Sequence, residues 1–246
     1  MKSIRVLSAA MLFLSVGGTA VAHAQGRGQE KQEERKRKQD DKDKKTGQVS
    51  AQEQQERVQQ EQQRTEAYKQ RLDEQVRVAQ QQAAQLQEQK RAAQARAQEE
   101  YAATLRQQQQ QLQSRRDYSH DPYVSTAPTY RYVVAGTTRQ TNQYGADVLR
   151  AAVNNGYQQG YRAGQADRQD HRRSSYRDSF GYQDANFGYR GNYVDQSDYN
   201  YYFREGFRRG YDDGFSSRSR YGSSSNGSQT ILGGLLTSIL GLQAIR

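Results

Sequence analysis

Histidine, cysteine and paired carboxylates carry most nucleophilic, proton-transfer and metal chemistry, and this chain is poor in the first two. It has no cysteine and three histidines, so thiol catalysis, cysteine–zinc sites and disulfide staples are excluded. His23 falls in an apolar leader, which leaves His120 and His171. His120 lies in the polar run Ser119-His120-Asp121-Pro122, and His171 sits among arginines at the end of an expected helix. Neither has a serine or carboxylate at the spacing of a catalytic triad. The carboxylates of 174–213 could serve a two-carboxylate hydrolase of carbohydrate or peptide, but that chemistry needs a pocket, and a chain this polar is expected to build none. The same stretch lacks the D-x-[DN]-x-[DN]-G spacing of a calcium loop. No catalytic residue, metal site or cofactor is therefore expected, nor a small-molecule substrate. Tyrosine and arginine do interleave there, a composition that stacks on sugar rings or single-stranded nucleic acid.

The leader places the rest in context. Lys2 and Arg5 precede an apolar stretch from Val6 to Val21, and Ala22-His23-Ala24 supplies a small-x-small cleavage site before Gln25. Residues 1–24 thus read as a secretory signal, too short and wrongly flanked for a membrane span. Export to the periplasm, cell envelope or medium is expected. The chain carries a net charge of +10, or +8 once Lys2 and Arg5 leave with the signal, which at an exported address favours anionic polymers, envelope proteins or a membrane surface as partners.

The elements that must position any site are mostly helical. Residues 25–49 alternate cations and carboxylates without an apolar repeat and read as a disordered charged arm. From 50 to 116 the chain is Gln, Glu, Ala, Arg and Lys, free of proline and glycine, good helix formers throughout. A sparse heptad seam runs Leu72, Val76, Ala79, Ala83, Leu86, Lys90, Ala93, Ala97, then steps to Tyr101 and Leu105. One helix over this segment would extend roughly 100 Å, a spacer or a weak coiled coil through which the chain could form a homo-oligomer. Pro122 and Pro128 end it. Residues 117–140 read as linker; Tyr130–Val134 alternates and is β-branched as a short strand would be, but with nothing to pair with it reads as extended linker.

The C-terminal third holds an internal repeat. Gly156-Tyr157-Gln158-Gln159-Gly160-Tyr161-Arg162-Ala163-Gly164 recurs fifty residues on as Gly206-Phe207-Arg208-Arg209-Gly210-Tyr211-Asp212-Asp213-Gly214. At period four the glycines form one stripe on a helix, and Tyr157, Tyr161, Phe207, Tyr211 and Phe215 form an aromatic face beside it. Three glycines per helix cost about 1 kcal/mol each relative to alanine unless another backbone comes close. The expected answer is a helical hairpin within 141–217, packed through Gly156, Gly160 and Gly164 against Gly206, Gly210 and Gly214. Thr141 or Asn142 is expected to cap its first helix, Ser197 or Asp198 its second. After a Ser/Gly linker at 218–229, an apolar segment over 230–246 is expected to form a short helix. Ile231, Leu235, Leu236, Ile239 and Leu240 are its contact residues, packing on the repeat helices or on a second copy more readily than entering a membrane.

The Gln-rich helical half, the run Tyr144-Gly145-Ala146-Asp147 leading into a helix, the paired glycine–aromatic repeats and the tail Ile231-Leu232-Gly233-Gly234-Leu235-Leu236 resemble a loosely defined group of bacterial exported proteins. The resemblance covers about 130–246 and implies envelope export without an activity. Leu, Ile, Val and Phe are too few for a large core, so the expectation is a mainly α chain with extensive disorder. It comprises a long polar helix, a small glycine-zipper-like hairpin and a short apolar C-terminal helix. As function it implies a non-enzymatic envelope structural or interaction protein, with a polyanion binder as the alternative.

Overall fold

The computed structural model describes residues 31–39, 42, 47–114, 116–225 and 228–245. The signal segment expected over 1–24 and its cleavage site lie outside these residues. Two units are distinguished, Met1–Thr46 and Gly47–Arg246. In the first, residues 31–39 of the charged arm are helical (α1), with an ion pair of 2.7 Å between Lys38 and Glu34.

In the second unit the chain is mainly α. The Gln-rich segment forms a long helix, α2 (Ala51–Glu88), followed by α3 (Ala92–Gln113). Ser50 caps α2 by accepting the Glu53 amide. The expected single helix over 50–116 is broken at Lys90, whose φ is +59°. There the Lys90 amide donates to the Gln87 carbonyl and the Arg91 amide to that of Leu86, the 5→2 and 6→1 bonds of a Schellman turn. Helix α3 folds back along α2. Gln109 donates to Asp73 at 2.6 Å, and the Gln98 amide donates to the Ala79 carbonyl at 3.3 Å. The heptad seam is thus spent inside the unit. Leu72, Val76, Ala79 and Ala83 are buried, as are Ala93, Tyr101 and Leu105, and the spacer some 100 Å long does not form.

The expected linker over 117–140 is folded too. Asp121 caps the short helix α4 (Pro122–Ser125), with proline in its first turn. Strand β1 (Tyr130–Val134) pairs antiparallel with β2 (Thr137–Thr141), joined at Ala135 and Gly136, both at positive φ, as a two-residue hairpin turn requires. A third strand near the chain end, β5 (Gln243–Ala244), adds to the other edge of β1. Tyr130–Val134, read as extended linker for want of a partner, is thus a paired strand. Its partners, Thr-Thr-Arg-Gln-Thr and two residues of the tail, carry no apolar alternation to announce them.

Helices α5 (Gln143–Gln169) and α7 (Gln196–Ser216) are the repeat helices. They pack on each other, but in parallel and not as a hairpin. Gly156 meets Phe203, Gly160 meets Phe207 and Gly164 meets Tyr211, both numbers rising together. A parallel pair needs a connection that returns the length of a helix. Residues 170–195 provide it, through a 3-10 turn (Tyr176–Asp178) and α6 (Phe180–Asp184). Asn142 caps α5 by accepting the Tyr144 and Gly145 amides. At α7 the cap position is Asp195, one turn earlier than expected, because Asp198 is buried as the acceptor for Tyr132 at 2.8 Å.

The Ser/Gly linker is a second hairpin, β3 (Gly222–Ser225) with β4 (Ser228–Ile231). The tail follows as α8 (Gly233–Leu240). Ile231 and Leu240 are buried, while Leu235, Leu236 and Ile239 are partly buried against the core. Tyr202 donates to the Leu240 carbonyl. No described helix is long and apolar enough to cross a membrane.

The unit is larger than the aliphatic content suggested because tyrosine builds the core. Tyr68, Tyr101, Tyr132, Tyr157, Tyr189, Tyr199, Tyr202 and Tyr211 are buried beside Phe203 and Phe207. A buried tyrosine removes about as much apolar area as phenylalanine, provided its hydroxyl is bonded. Tyr101 donates to Asp184 at 2.6 Å, Tyr157 to Asp213 at 2.7 Å, and Tyr189 to the Val194 carbonyl at 2.8 Å.

Candidate functional site

The repeat glycines are the scaffold of the site. A β-carbon on Gly156, Gly160 or Gly164 would lie 1.9, 2.0 or 2.3 Å from the carbonyl oxygen of Phe203, Phe207 or Tyr211. On the other helix, a β-carbon added to Gly206, Gly210 or Gly214 would lie 2.0, 1.9 or 2.0 Å from the carbonyl oxygen of Val153, Tyr157 or Tyr161. The two backbones therefore touch along three helical turns, close enough for Cα–H···O contacts. Of the aromatic face, Tyr157, Phe207 and Tyr211 are buried and Tyr161 and Phe215 half-buried. Tyr157 crosses to Asp213 on α7, and Tyr211 crosses back to Asp167 on α5.

Parallel packing brings the C-terminal ends of α5 and α7 together. The end of α2 joins them, because Asp170, just past α5, accepts the Ala93 and Gln94 amides at 3.1 and 2.9 Å and so caps α3. All three helices turn off through non-glycine residues at positive φ, Lys90, His171 and Ser217. Cations gather around these three negative dipole ends. Lys90, Arg168, Arg172, Arg173, Arg177, Arg218 and Arg220 are exposed, and none has an ion-pair partner among the described residues. The exposed carboxylates nearby, Glu88, Asp178 and Asp212, are outnumbered. The glycine stripe drew attention to the helix interiors, and sequence reasoning missed this end. A signal existed: Arg168 and Arg218 stand at the fifty-residue offset of the repeat.

A cavity of about 230 Å³ opens beside this basic end, between the α2–α3 turn, α5 and α6. Leu86, Tyr101, Phe180 and Phe207 form its apolar wall, and glutamines dominate the remainder. Three of the residues that line it each bury a polar atom without a hydrogen-bond partner: Arg91 Nε, Gln94 Oε1 and Gln159 Nε2. Gln159 is only 5% exposed.

Elsewhere the carboxylates belong to the fold. Asp184 holds Tyr101 and Asn186; Asp213 holds Tyr157 and the amides of Arg220 and Tyr221. Glu61 is buried against Arg64 and accepts the Tyr193 amide at 2.8 Å. Burial raises the carboxyl pKa of Glu61, Asp167, Asp184 and Asp198 against the neighbours that lower it. Among the described residues no cluster of histidines and carboxylates could hold a metal ion. His120 is exposed, with Asp117 Oδ2 at 2.9 Å and Ser119 Oγ at 3.1 Å from the same Nδ1. Crowding both partners on one ring nitrogen denies the serine–imidazole–carboxylate relay, which uses both. Hydrogen bonds from Ser119, then His120, hold the Asp117 carboxyl down to about 2. His171 is exposed at the end of α5. No family model matches the chain, and neither does any curated protein or solved structure.

Proposed function

We propose that this is a non-enzymatic, exported binding protein of the cell envelope that uses the basic end of its parallel helix pair to hold an anionic polymer. One observation carries the reading. Arginines remote in sequence stand exposed at the shared C-terminal end of the pair without a direct ion pair among the described residues: Arg168 in the last turn of α5 with Arg172 and Arg173 after it, and Arg218 and Arg220 after α7. Only Arg172 and Arg220 feel a carboxylate, Asp167 and Asp212 respectively. Three helix C-termini offer a partial charge of only about −0.5 each, fewer negative charges than the arginines supply. The surplus faces solvent, where it attracts phosphate, sulfate or uronate groups. The leader supports the export half of the reading and the charge of +10 supports the partner class.

Retention of the purified chain on immobilised dextran sulfate tests it. Elution should need raised salt. The variant carrying Arg168→Gln, Arg172→Gln, Arg173→Gln, Arg218→Gln and Arg220→Gln should elute at distinctly lower salt. Exposed side chains without partners cost the fold little when replaced, within about 0.5 kcal/mol each, so a loss of retention reports binding. Identical elution of the two chains would overturn the proposal.

A further inference from the structure

We infer that the C-terminal turns of α5 and α7 form a two-armed reader, Arg172 and Arg218 each holding one of two neighbouring anionic groups on a single acidic polysaccharide strand. The two turns are built alike. His171 and Ser217 stand at φ +53° and +54°, and the residue after each is an arginine. The Arg172 amide donates to the Asp167 carbonyl at 2.8 Å and the Arg218 amide to the Asp213 carbonyl at 3.1 Å, the 6→1 bond of a Schellman turn. The side chains of Asp167 and Asp213 in turn hold tyrosines from the opposite helix, Tyr211 and Tyr157. A β-carbon on Gly164 would meet the Tyr211 carbonyl and the Phe215 amide, so the two turns follow at the same level of the parallel pair. The sequence repeat aligns Arg168 with Arg218; the fold aligns Arg172 with it.

A Schellman turn commonly carries an apolar residue at this position, packed on the residue five before it. Arg172 and Arg218 are exposed instead, so packing does not ask for them. Asp167, the carboxylate that Arg172 feels, is buried and bonded to Tyr211. Other cations of this end are engaged. Arg177 and Arg220 lie over Tyr176 and Tyr221, 5.7 and 5.5 Å from the ring centres. Arg91 follows the third such turn, at Lys90, but its side chain is 23% exposed and stands 4.0 Å from Asp167. Two outward guanidiniums on one frame suit a ligand of repeated charge, because the first contact brings the second anion in at about millimolar effective concentration. A lone anion meets one weak site. The guanidiniums seated on Tyr176 and Tyr221 cover the faces on which nucleobases would stack, which favours a sugar strand. The inference rests on the polymer binding proposed above and adds which residues read the charges, two at a time.

NMR titration of the purified chain, followed at the arginine Nε–H signals, tests it. The probes are inorganic sulfate, sulfated maltohexaose, polygalacturonate oligomers and oligothymidylate, all at one ionic strength. The Arg172 and Arg218 signals should move together with one of the two glycans, at a concentration at least about tenfold below that needed with inorganic sulfate. Whichever glycan shows the larger advantage tells a sulfated strand from a uronate one. In Arg218→Gln the Arg172 signal should lose that tenfold advantage, and in Arg172→Gln the Arg218 signal likewise. Glutamine keeps the main-chain bond of each turn, so the fold is retained. Arg106→Gln, the same loss of charge on the exposed side of α3, should change neither signal's response. Independent movement of the two signals, or an advantage that survives either single variant, would overturn the inference and leave the polymer reading to the dextran sulfate result. Tighter binding of oligothymidylate than of both glycans would also overturn it. No movement with any probe would overturn both.

Discussion

At Gly160 a β-carbon would lie 2.0 Å from the Phe207 carbonyl oxygen and 2.8 Å from the Tyr211 amide nitrogen. Both neighbours are backbone, so neither can swing aside. Helix propensity alone favours Gly160→Ala by about 1 kcal/mol; forced separation of the helices opposes it by about 1–3 kcal/mol or more. The expected outcome is a net loss in urea unfolding. Gly234→Ala is the control, since nothing stands within 4 Å of its β-carbon position, and it should be neutral or stabilising by up to about 1 kcal/mol. The buried carboxyls make a second prediction. Folding raises the pKa of Glu61, Asp167, Asp184 and Asp198, mainly by burial. In such groups the fold favours the protonated form. Their contribution to stability is fully present below the unfolded-chain value of about 4 and is lost as pH rises through the folded one. The urea midpoint should therefore be higher at pH 5 than at pH 8; an equal midpoint would show these carboxyls ionise as easily folded as unfolded, and a lower one that they ionise more easily folded.

Among the elements, the α2–α3 turn shows how far local pattern reaches. Its heptad seam was readable, and so was the change of phase after Ala97. The reversal at Lys90 was not, because lysine is neither a helix breaker nor a typical left-handed residue. Holding an L-residue at φ +59° costs about 1–2 kcal/mol, which the fold-back offsets by burying Leu72, Val76 and Ala79 against α3. Lys90→Gly should remove that cost and raise stability by about 1 kcal/mol. Lys90→Pro, whose ring holds φ near −65°, should destabilise the hairpin strongly. Thermal melts by circular dichroism distinguish the two. If Lys90→Gly melts lower than wild type, the turn is not left-handed in solution. Association through the α2 seam would require this hairpin to open first.

At the scale of the molecule, composition misled in one respect and informed in another. Counting aliphatic residues underestimated the core, because tyrosines bonded to Asp184, Asp198, Asp213 and backbone carbonyls fill it. Half of the positive balance lies in the leader and charged arm before Gly47. Within the second unit, exposed arginines gather at one end of the helix pair, and the salt-dependent retention on dextran sulfate is a prediction about that whole end, not about any single arginine. What the sequence determined by itself was local: the helices over most of 51–113, 143–169 and 196–216, a cap at Thr141 or Asn142, and the glycines that need a bare neighbouring backbone. Each follows from residues within a turn or two of one another. Tertiary structure alone decided that the repeat helices run parallel, that the long segment folds back, that Thr137–Thr141 and the tail complete a sheet, and that Arg91, Gln94 and Gln159 line one cavity. A glycine stripe reads the same in either helix direction, and a polar strand reads as loop until it has a partner. Those choices were settled by which arrangement buries the tyrosines with every hydroxyl bonded, a condition set between residues far apart in the chain.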